Sequence, residues 1–194
     1  MASPDQLAVL VRGLSDPDGH ARGRAAESLM KLRDPAATPL LIAALDHEDD
    51  GTRQLAARIL GDSGDQNAAA ALIAILGNPN DSIAREAAVA LGTLKATGAE
   101  EVLTRTMQAR HPGVRTVAAW ALGEINAPGA VDTLIEALHD GAGPVRSAAA
   151  KALGDIGDER AVAALNQALE DDFMDVRQLA AWALKEMGKK KKKK

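Results

Sequence analysis

The chain has 194 residues and no cysteine, which excludes a disulfide framework and a zinc site with thiolate ligands. Its formal net charge of −4 at pH 7 includes a run of six lysines, Lys189 to Lys194. Without these six, 17 of the 23 basic residues remain against 27 acidic residues, so the rest of the chain carries a charge of −10. An acidic body repels phosphate backbones, and we expect no nucleic-acid partner.

The hydrophobic pattern also limits the class of protein. No apolar stretch approaches the roughly 20 residues of a membrane-spanning helix, and no charged-then-apolar leader opens the sequence. We therefore expect a soluble, cytoplasmic protein without membrane insertion. Aromatic residues make up only 2% of the chain, which fits closely packed helices built on alanine and leucine.

A period of 31 residues runs through the sequence without an insertion. The six repeats are residues 4–34, 35–65, 66–96, 97–127, 128–158 and 159–189. We call residues at equivalent positions of the repeats a column. One column in the second half of the repeat contains Gly61, Gly92, Gly123 and Gly154. Strict periodicity of this length predicts an array of stacked repeats.

The first repeat, residues 4–34, departs from the pattern because Met30 occupies the glycine column. A terminal repeat has one face without a neighbour and commonly differs from the interior repeats. We therefore predict that this repeat is the N-terminal cap.

The repeat at 128–158 shows the expected secondary structure most clearly. Its first half has apolar residues on one helical face, and a second one-sided pattern runs from Val145 to Ile156. The first face consists of Val131, Leu134, Ile135 and Leu138. Between the two patterns, two glycines and Pro144 favour a turn followed by a helix start. Each repeat is therefore predicted to be a helical hairpin.

Every hairpin has an apolar face that only a neighbouring hairpin can bury. We predict an all-α fold, a right-handed α-solenoid of six 31-residue helical hairpins that forms one domain over residues 4–189. Recurring glycines and paired alanines would let the second helices approach closely. A phosphate-binding loop is the alternative for the glycines beside Asp62, but no strand precedes them and they recur with the repeat, which favours packing.

The last repeat, residues 159–189, has Lys185 in the glycine column and is predicted to be the C-terminal cap. Like charges in a row repel each other, so we predict a disordered poly-Lys tail at 190–194. This tail is either an appended solubilising segment or an electrostatic tether to an anionic surface.

The pattern V-R-x-x-A-A-x-A-L-G-x-I-G-D stands at Val145–Asp158, and related versions stand at Val114–Ala127 and Val176–Lys189. It resembles the short HEAT-repeat class, also called HEAT-like or phycobilisome-lyase-type repeats, and the artificial libraries built on that consensus. The resemblance covers about 186 of 194 residues and implies a HEAT-like solenoid. It implies less about function, since the family includes bilin-attachment subunits, phycobilisome-degradation factors, a metal-dependent hydroxylase and many adaptors.

An arginine column opens the second half of five repeats: Arg22, Arg53, Arg115, Arg146 and Arg177. In resembling proteins such arginines pair with acidic residues of the turns and form a ladder along the stack. Asp16, Asp140 and Asp171 share a turn column that could serve as partners. A row of ligand-binding arginines is the alternative.

Catalytic chemistry has little support in the sequence. The four histidines, in or beside the predicted turns, are His20, His47, His111 and His139. The hydroxylase branch needs several His-Glu pairs, whereas only His47-Glu48 is present. A Gly-x-Ser-x-Gly elbow is also missing. We therefore expect no enzymatic activity, no metal and no cofactor.

Second-helix positions that face away from the core vary between repeats, while the core columns barely vary. In HEAT-like solenoids the second helices line the concave side, so these positions would form a binding groove. The predicted groove residues are Arg24, Glu27, Lys31, Leu55, Arg58, Arg85, Val89, Val117, Trp120, Glu124, Lys151, Leu179, Trp182 and Glu186.

The predicted groove differs along its length, with most of its cations in the first three repeats and both tryptophans in the last three. Trp120 and Trp182 share a column, and a partly exposed tryptophan is a favoured interface anchor, with structural filling as the alternative.

We predict a non-catalytic protein- or peptide-binding scaffold whose ligand is acidic at one end and apolar at the other. A second copy of the chain is one candidate partner. The alternatives are a bilin lyase or chromophore-handling accessory subunit, and an engineered or consensus-derived scaffold without a physiological partner.

Overall fold

The computed structural model describes residues 2–191, without the side chain of Lys190. Over these residues it consists of twelve α-helices, short turns of 3₁₀-helix and connecting turns. The helices are α1 (Pro4–Arg12), α2 (Gly19–Leu32), α3 (Thr38–Ala44), α4 (Asp50–Ser63), α5 (Ala69–Ile75), α6 (Asp81–Thr93), α7 (Glu100–Thr106), α8 (Pro112–Glu124), α9 (Val131–Ala137), α10 (Gly143–Ile156), α11 (Val162–Ala168) and α12 (Met174–Lys191). A short first helix therefore alternates with a long second helix.

The starts of the helices follow from local sequence. Side chains of Asp18, Asp49, Asn80 and His111 cap α2, α4, α6 and α8 by accepting backbone hydrogen bonds at their N-termini. The short helices from α3 onward are each preceded by a 3₁₀ turn. These turns begin at Pro35, Gln66, Thr97, Pro128 and Glu159, which are the first residues of the predicted repeats.

Five of the long helices end in one column, at or close after the last helical residue. Its members have left-handed backbone: Arg33 (φ 45°), Gly64 (φ 78°), Lys95 (φ 53°), Asn126 (φ 55°) and Gly157 (φ 79°). A left-handed residue turns the chain out of the helix and lets its N–H reach a carbonyl of the last turn. Glycine and asparagine adopt this conformation readily, whereas arginine and lysine do so at a cost.

The last helix does not end at this column. Gly188 lies within α12, which continues through Lys191. Lys189 forms an ion pair with Glu186, and Lys191 forms one with Glu159. The predicted disordered tail therefore differs from the structure at its first two residues, which are helical. The remaining tail residues, 192–194, lie outside the described part of the chain.

The chain divides into two compact units, Met1–Ala96 and Thr97–Lys194. In the N-terminal unit α4 packs against α6, and in the C-terminal unit α10 packs between α8 and α12. Each core consists of leucine and alanine columns, represented by fully buried Leu60 and Leu153. The single continuous domain expected from the sequence remains a prediction.

The glycine column explains how closely the second helices pack. A β-carbon placed on Gly61, Gly123 or Gly154 would lie 2.6, 2.9 or 2.8 Å from the Cα of an alanine in the next long helix. The alanines are Ala90, Ala152 and Ala183. Real β-carbons do not approach backbone so closely, so only glycine fits. The packing interpretation of these glycines is confirmed.

Candidate binding surface

None of the fourteen predicted groove residues is buried. Five are exposed, namely Arg24, Glu27, Lys31, Arg58 and Arg85. Nine are partly exposed, namely Leu55, Val89, Val117, Trp120, Glu124, Lys151, Leu179, Trp182 and Glu186. Seven of the fourteen belong to each unit, and all lie on the long helices α2, α4, α6, α8, α10 and α12.

In the N-terminal unit, the cations of this surface each have an acidic neighbour. Lys31 pairs with Glu27 at 2.7 Å, and Arg24 lies 3.9 Å from Asp18. The guanidinium groups of Arg58 and Arg85 share the carboxylate of Glu86. The surface therefore carries less positive charge than its arginines and lysine suggested in the sequence.

Glu86 is the residue of this surface whose environment sequence reasoning missed. It is not one of the fourteen predicted groove residues but shares a column with three of them, Arg24, Leu55 and Val117, and only 5% of it is exposed. Arg58 of α4 and Arg85 of α6 both approach its Oε1 at 3.3 Å. Its column also contains Leu55 and Val117, and these apolar neighbours in the column were the available signal that the position is partly covered.

In the C-terminal unit, Trp182 of α12 lies against α10. Its Cζ3 atom is 2.7 Å from the position that a β-carbon of Gly154 would take. The Lys151 ammonium lies 5.2 Å from the centroid of the ring, within the range of a cation–π contact, and 2.6 Å from Asp155. Part of the ring therefore packs on α10, while Trp182 as a whole remains partly exposed.

Trp120 of α8 belongs to the same column as Trp182 and is also partly exposed. Lys151 occupies this column on α10, which packs between the helices that carry the two tryptophans. Four residues further along each helix stand three carboxylates, Glu124, Asp155 and Glu186. The long-helix face of the C-terminal unit thus presents an aromatic and lysine column beside an acidic column.

The arginine ladder is present in the C-terminal unit. Arg115 donates two hydrogen bonds to Asp140 at 2.7 and 2.9 Å, and Arg146 donates two to Asp171 at the same distances. Charge-assisted bonds in this fork geometry are among the strongest side-chain interactions. The hydrogen bonds from the arginines lower the pKa of both aspartates. The predicted structural pairing is confirmed for these two steps.

The sequence of the turn column explains where the ladder forms. Each acidic partner stands 25 residues after its arginine. The residues 25 positions after Arg22 and Arg53 are His47 and Asn78, which carry no carboxylate. All five arginines of the column, including the two that bind an aspartate, donate from Nη1 to the carbonyl six residues earlier. The column thus has one bond common to all members and a second that depends on the next turn.

Two of the histidines have structural roles in the turns. Nδ1 of His47 accepts a hydrogen bond from the N–H of Asp49, and Nδ1 of His111 accepts one from Gly113 at the start of α8. Within residues 2–191, no three His, Asp or Glu side chains are grouped closely enough to hold a metal ion. In the same part of the chain, no helix has both the length and the apolar composition needed to span a membrane.

Several solved structures resemble this one. An engineered protein aligns with a TM-score of 0.70 at 24% identity, covering 94% of this chain and 98% of that chain. A designed armadillo repeat protein in complex with the peptide (KR)4 aligns with a TM-score of 0.68 at 18% identity, covering 94% and 99%. The CpcE–CpcF complex of phycocyanin lyase from Nostoc sp. PCC7120 aligns with a TM-score of 0.55 at 24% identity, covering 95% of this chain and 83% of that chain.

At these identities the similarities show the fold alone, and they confirm an all-helical solenoid; its handedness and repeat number remain predictions. No curated protein sequence matches the chain. The family model for HEAT repeats matches residues 7–92, 39–109, 69–149 and 137–194. The resemblance noted in the second-helix pattern is thereby confirmed, and the chain belongs to the HEAT-repeat family.

Proposed function

We propose that this chain is a non-catalytic repeat scaffold that binds a protein or peptide on its long-helix faces. The observation that carries the proposal is the pair of partly exposed tryptophans at one column of α8 and α12, in a chain with only two tryptophans. A large rigid ring contributes much buried area for little lost entropy, which makes Trp120 and Trp182 the anchors of the surface.

The partner's chemistry follows from the residues around the anchors. Val117 and Leu179 extend the apolar part of the C-terminal unit's face, and Glu124 borders it with negative charge. An apolar or aromatic side chain of the partner fits between the tryptophans and these aliphatic residues. The long-helix face of the N-terminal unit is a more polar surface, whose cations are compensated by neighbouring acids.

The carboxyl groups with a lowered pKa are not suited to act as general acids. Six carboxyl groups have a pKa below the ordinary value, each because a neighbouring side chain donates a hydrogen bond to it. They are Glu27, Asp49, Asp65, Asp140, Asp158 and Asp171. A lowered pKa keeps a carboxyl ionised, whereas a general acid must be protonated near neutral pH.

Peptide selection tests this proposal. A displayed library of random 12-residue peptides is selected on the intact protein, and the recovered peptides are measured against Trp120→Ala, Trp182→Ala and the double variant. We expect the double variant to bind at least tenfold more weakly, which is about 1.4 kcal/mol. Phe173→Ala is the matched control, because Phe173 is an exposed aromatic residue in the turn before α12.

Folding and binding of the variants are measured separately. Circular dichroism and thermal unfolding check each variant, since Trp182 also packs on α10. Tryptophan fluorescence of the wild type should change on adding peptide, because both tryptophans lie in the proposed site. Peptides that bind the double variant as tightly as the wild type would contradict the proposal. Strong quenching by biliverdin, without any peptide that depends on the tryptophans, would favour the chromophore-handling alternative.

A further inference from the structure

The first helix pair leaves uncovered a surface that the other pairs bury. Leu10 of α1 is partly exposed, whereas its column is fully buried at Leu134 and Leu165. Leu10 lines an open groove of about 830 Å³ together with Val9 and Leu32, which are 58% and 44% exposed. The N-terminal end of the chain thus presents the apolar side that would face a preceding repeat.

The last helix pair leaves the opposite side uncovered. Leu184 of α12 is partly exposed and Ala181 is exposed, whereas the same columns are fully buried at Leu153 and Ala150 of α10, against which α12 packs. Leu184 lines an open groove at this end together with Val162, of which 38% is exposed. The C-terminal end therefore presents the side that would face a following repeat.

The arginine ladder is unfinished at the same two ends. Arg177 donates Nη1 to the carbonyls of Asp171 and Asp172, but among residues 2–191 no carboxylate pairs with it as Asp171 pairs with Arg146. At the other end, Asp16 accepts the N–H of Asp18 at 2.8 Å.

Asp140 and Asp171 accept the same kind of hydrogen bond as Asp16, from the backbone N–H two positions later and also at 2.8 Å. Asp16 is therefore held in the same way as the two aspartates that bind an arginine. A following copy continued with the 31-residue period would place its Asp16 25 residues after Arg177, the spacing of the two observed ladder pairs.

Lys185 opposes such a continuation. It occupies the column in which Gly123 and Gly154 touch the alanines of the next long helix, and the residue opposite it in a following copy would be Ser28. A lysine side chain at this point keeps the two helices apart, because even a β-carbon does not fit at the interior contacts.

We propose that the C-terminal end of one chain binds the N-terminal end of a second copy, with Arg177 paired to Asp16 of that copy, and that Lys185 keeps this contact weak. The apolar sides left uncovered at Leu10 and Leu184 are the complementary surfaces. The interface joins two different surfaces, so each added copy leaves one of each kind available.

Light scattering during size-exclusion chromatography tests the role of Lys185. Lys185→Gly should assemble at concentrations at least tenfold lower than the wild type. Lys185→Ala should resemble the wild type, because its β-carbon would still meet the opposing helix. Circular dichroism verifies that each variant is folded. A folded Lys185→Gly protein that remains a monomer at about 0.5 mM, or a Lys185→Ala protein that assembles equally well, would overturn the proposal.

A second experiment, in the Lys185→Gly background, tests whether the C-terminal end of one copy binds the N-terminal end of the next. Asp16→Asn keeps the turn hydrogen bond but removes the charge, and Arg177→Gln removes the cation from the other end. Each variant alone should assemble at least tenfold more weakly, whereas an equimolar mixture should form a discrete dimer through its one intact Arg177–Asp16 pair. Asp46→Asn, an exposed turn residue, should leave assembly unchanged. A mixture that stays monomeric would contradict head-to-tail contact.

Disulfide cross-linking tests the contact between copies without the Lys185→Gly substitution. The chain has no cysteine, so Lys185→Cys and Ser28→Cys each introduce a single thiol. At the equivalent interior contacts the two β-carbons would lie only 2.7–3.0 Å apart. A contact held slightly wider at residue 185 reaches the roughly 3.5–4.5 Å between the β-carbons of a disulfide, so mild oxidation of the mixed variants should give a cross-linked dimer. Lys95→Cys mixed with Ser28→Cys measures random collision. Equal cross-linking in both mixtures would count against the interface.

Discussion

Gly154 of α10 and Ala183 of α12 are in such close contact that a β-carbon on the glycine would lie 2.8 Å from the alanine Cα. We expect Gly154→Ala to lower the free energy of unfolding by roughly 1–3 kcal/mol, because one helix must move away from the other. The loss should occur even though alanine favours helix more than glycine does. Urea denaturation followed by circular dichroism measures it.

Gly23→Ala is the matched control for this substitution. Gly23 also lies within a long helix, but a β-carbon there would have no neighbour within 4 Å. Helix propensity then acts alone, and we expect a gain of roughly 0.5–1 kcal/mol. If Gly154→Ala were as stable as Gly23→Ala, the close approach of α10 and α12 would not exist in solution.

The period of the sequence was sufficient to predict contacts that recur between repeats. The junctions α4–α6, α8–α10 and α10–α12 need the same close approach, and therefore one spacing predicted the packing of Gly61, Gly123 and Gly154. The near-complete burial of Glu86 occurs once in its column, and the apolar neighbours Leu55 and Val117 indicate only a partly covered position. It depends on two arginines from different helices, Arg58 and Arg85, whose meeting requires the three-dimensional arrangement of α4 and α6.

The shared environment of Arg58, Arg85 and Glu86 makes a second prediction. Only 5% of Glu86 is exposed, and replacing both arginines by alanine would leave its carboxylate without its cations. We expect a loss of roughly 1–3 kcal/mol in the free energy of unfolding, because a buried charged acceptor would lack its partners. Thermal or urea unfolding of the double variant measures the loss.

The control for that prediction is the double substitution Arg24→Ala and Lys31→Ala. These two cations also pair with acids, but their side chains are 70% and 73% exposed. Exposed ion pairs contribute little to stability, so the change should stay within about 0.5 kcal/mol. Equal losses in the two double variants would show that Glu86 does not depend on Arg58 and Arg85.

Lys95 adopts a left-handed backbone with φ 53° at the end of α6, in the column where Gly64 and Gly157 have the same conformation. A left-handed conformation costs a non-glycine residue roughly 1–2 kcal/mol, so Lys95→Gly should raise the free energy of unfolding by about 1 kcal/mol. Gly64→Ala should lower it by a similar amount. A Lys95→Gly protein less stable than the wild type would contradict the conformation assigned to this column.

Arg146 and Arg177 occupy one column but differ in their partners, which makes them a matched pair. Arg146 binds Asp171 through two bonds and lies 5.1 Å from the centroid of the Phe173 ring, whereas Arg177 binds backbone carbonyls. We expect Arg146→Ala to cost roughly 2–3 kcal/mol and Arg177→Ala about 1 kcal/mol, measured on dilute monomer. Equal costs would mean that the bidentate pair contributes no more than the carbonyl bonds.

The aspartates of the ladder should determine part of the response to acid. Hydrogen bonds from Arg115 and Arg146 lower the pKa of Asp140 and Asp171 below the value of about 3.9 expected in the unfolded chain. Their contribution to stability is therefore complete above that value and is lost as the pH falls through the lower folded pKa.

A chain with both Asp140→Asn and Asp171→Asn lacks this contribution at every pH. We expect the gap in unfolding free energy between the wild type and this variant to be constant above about pH 5 and to shrink as the pH falls toward 2. Urea denaturation at a series of pH values measures the gap, with Asp46→Asn as a control in an exposed turn. A gap that stayed constant down to pH 2 would show that Asp140 and Asp171 keep the same pKa on folding.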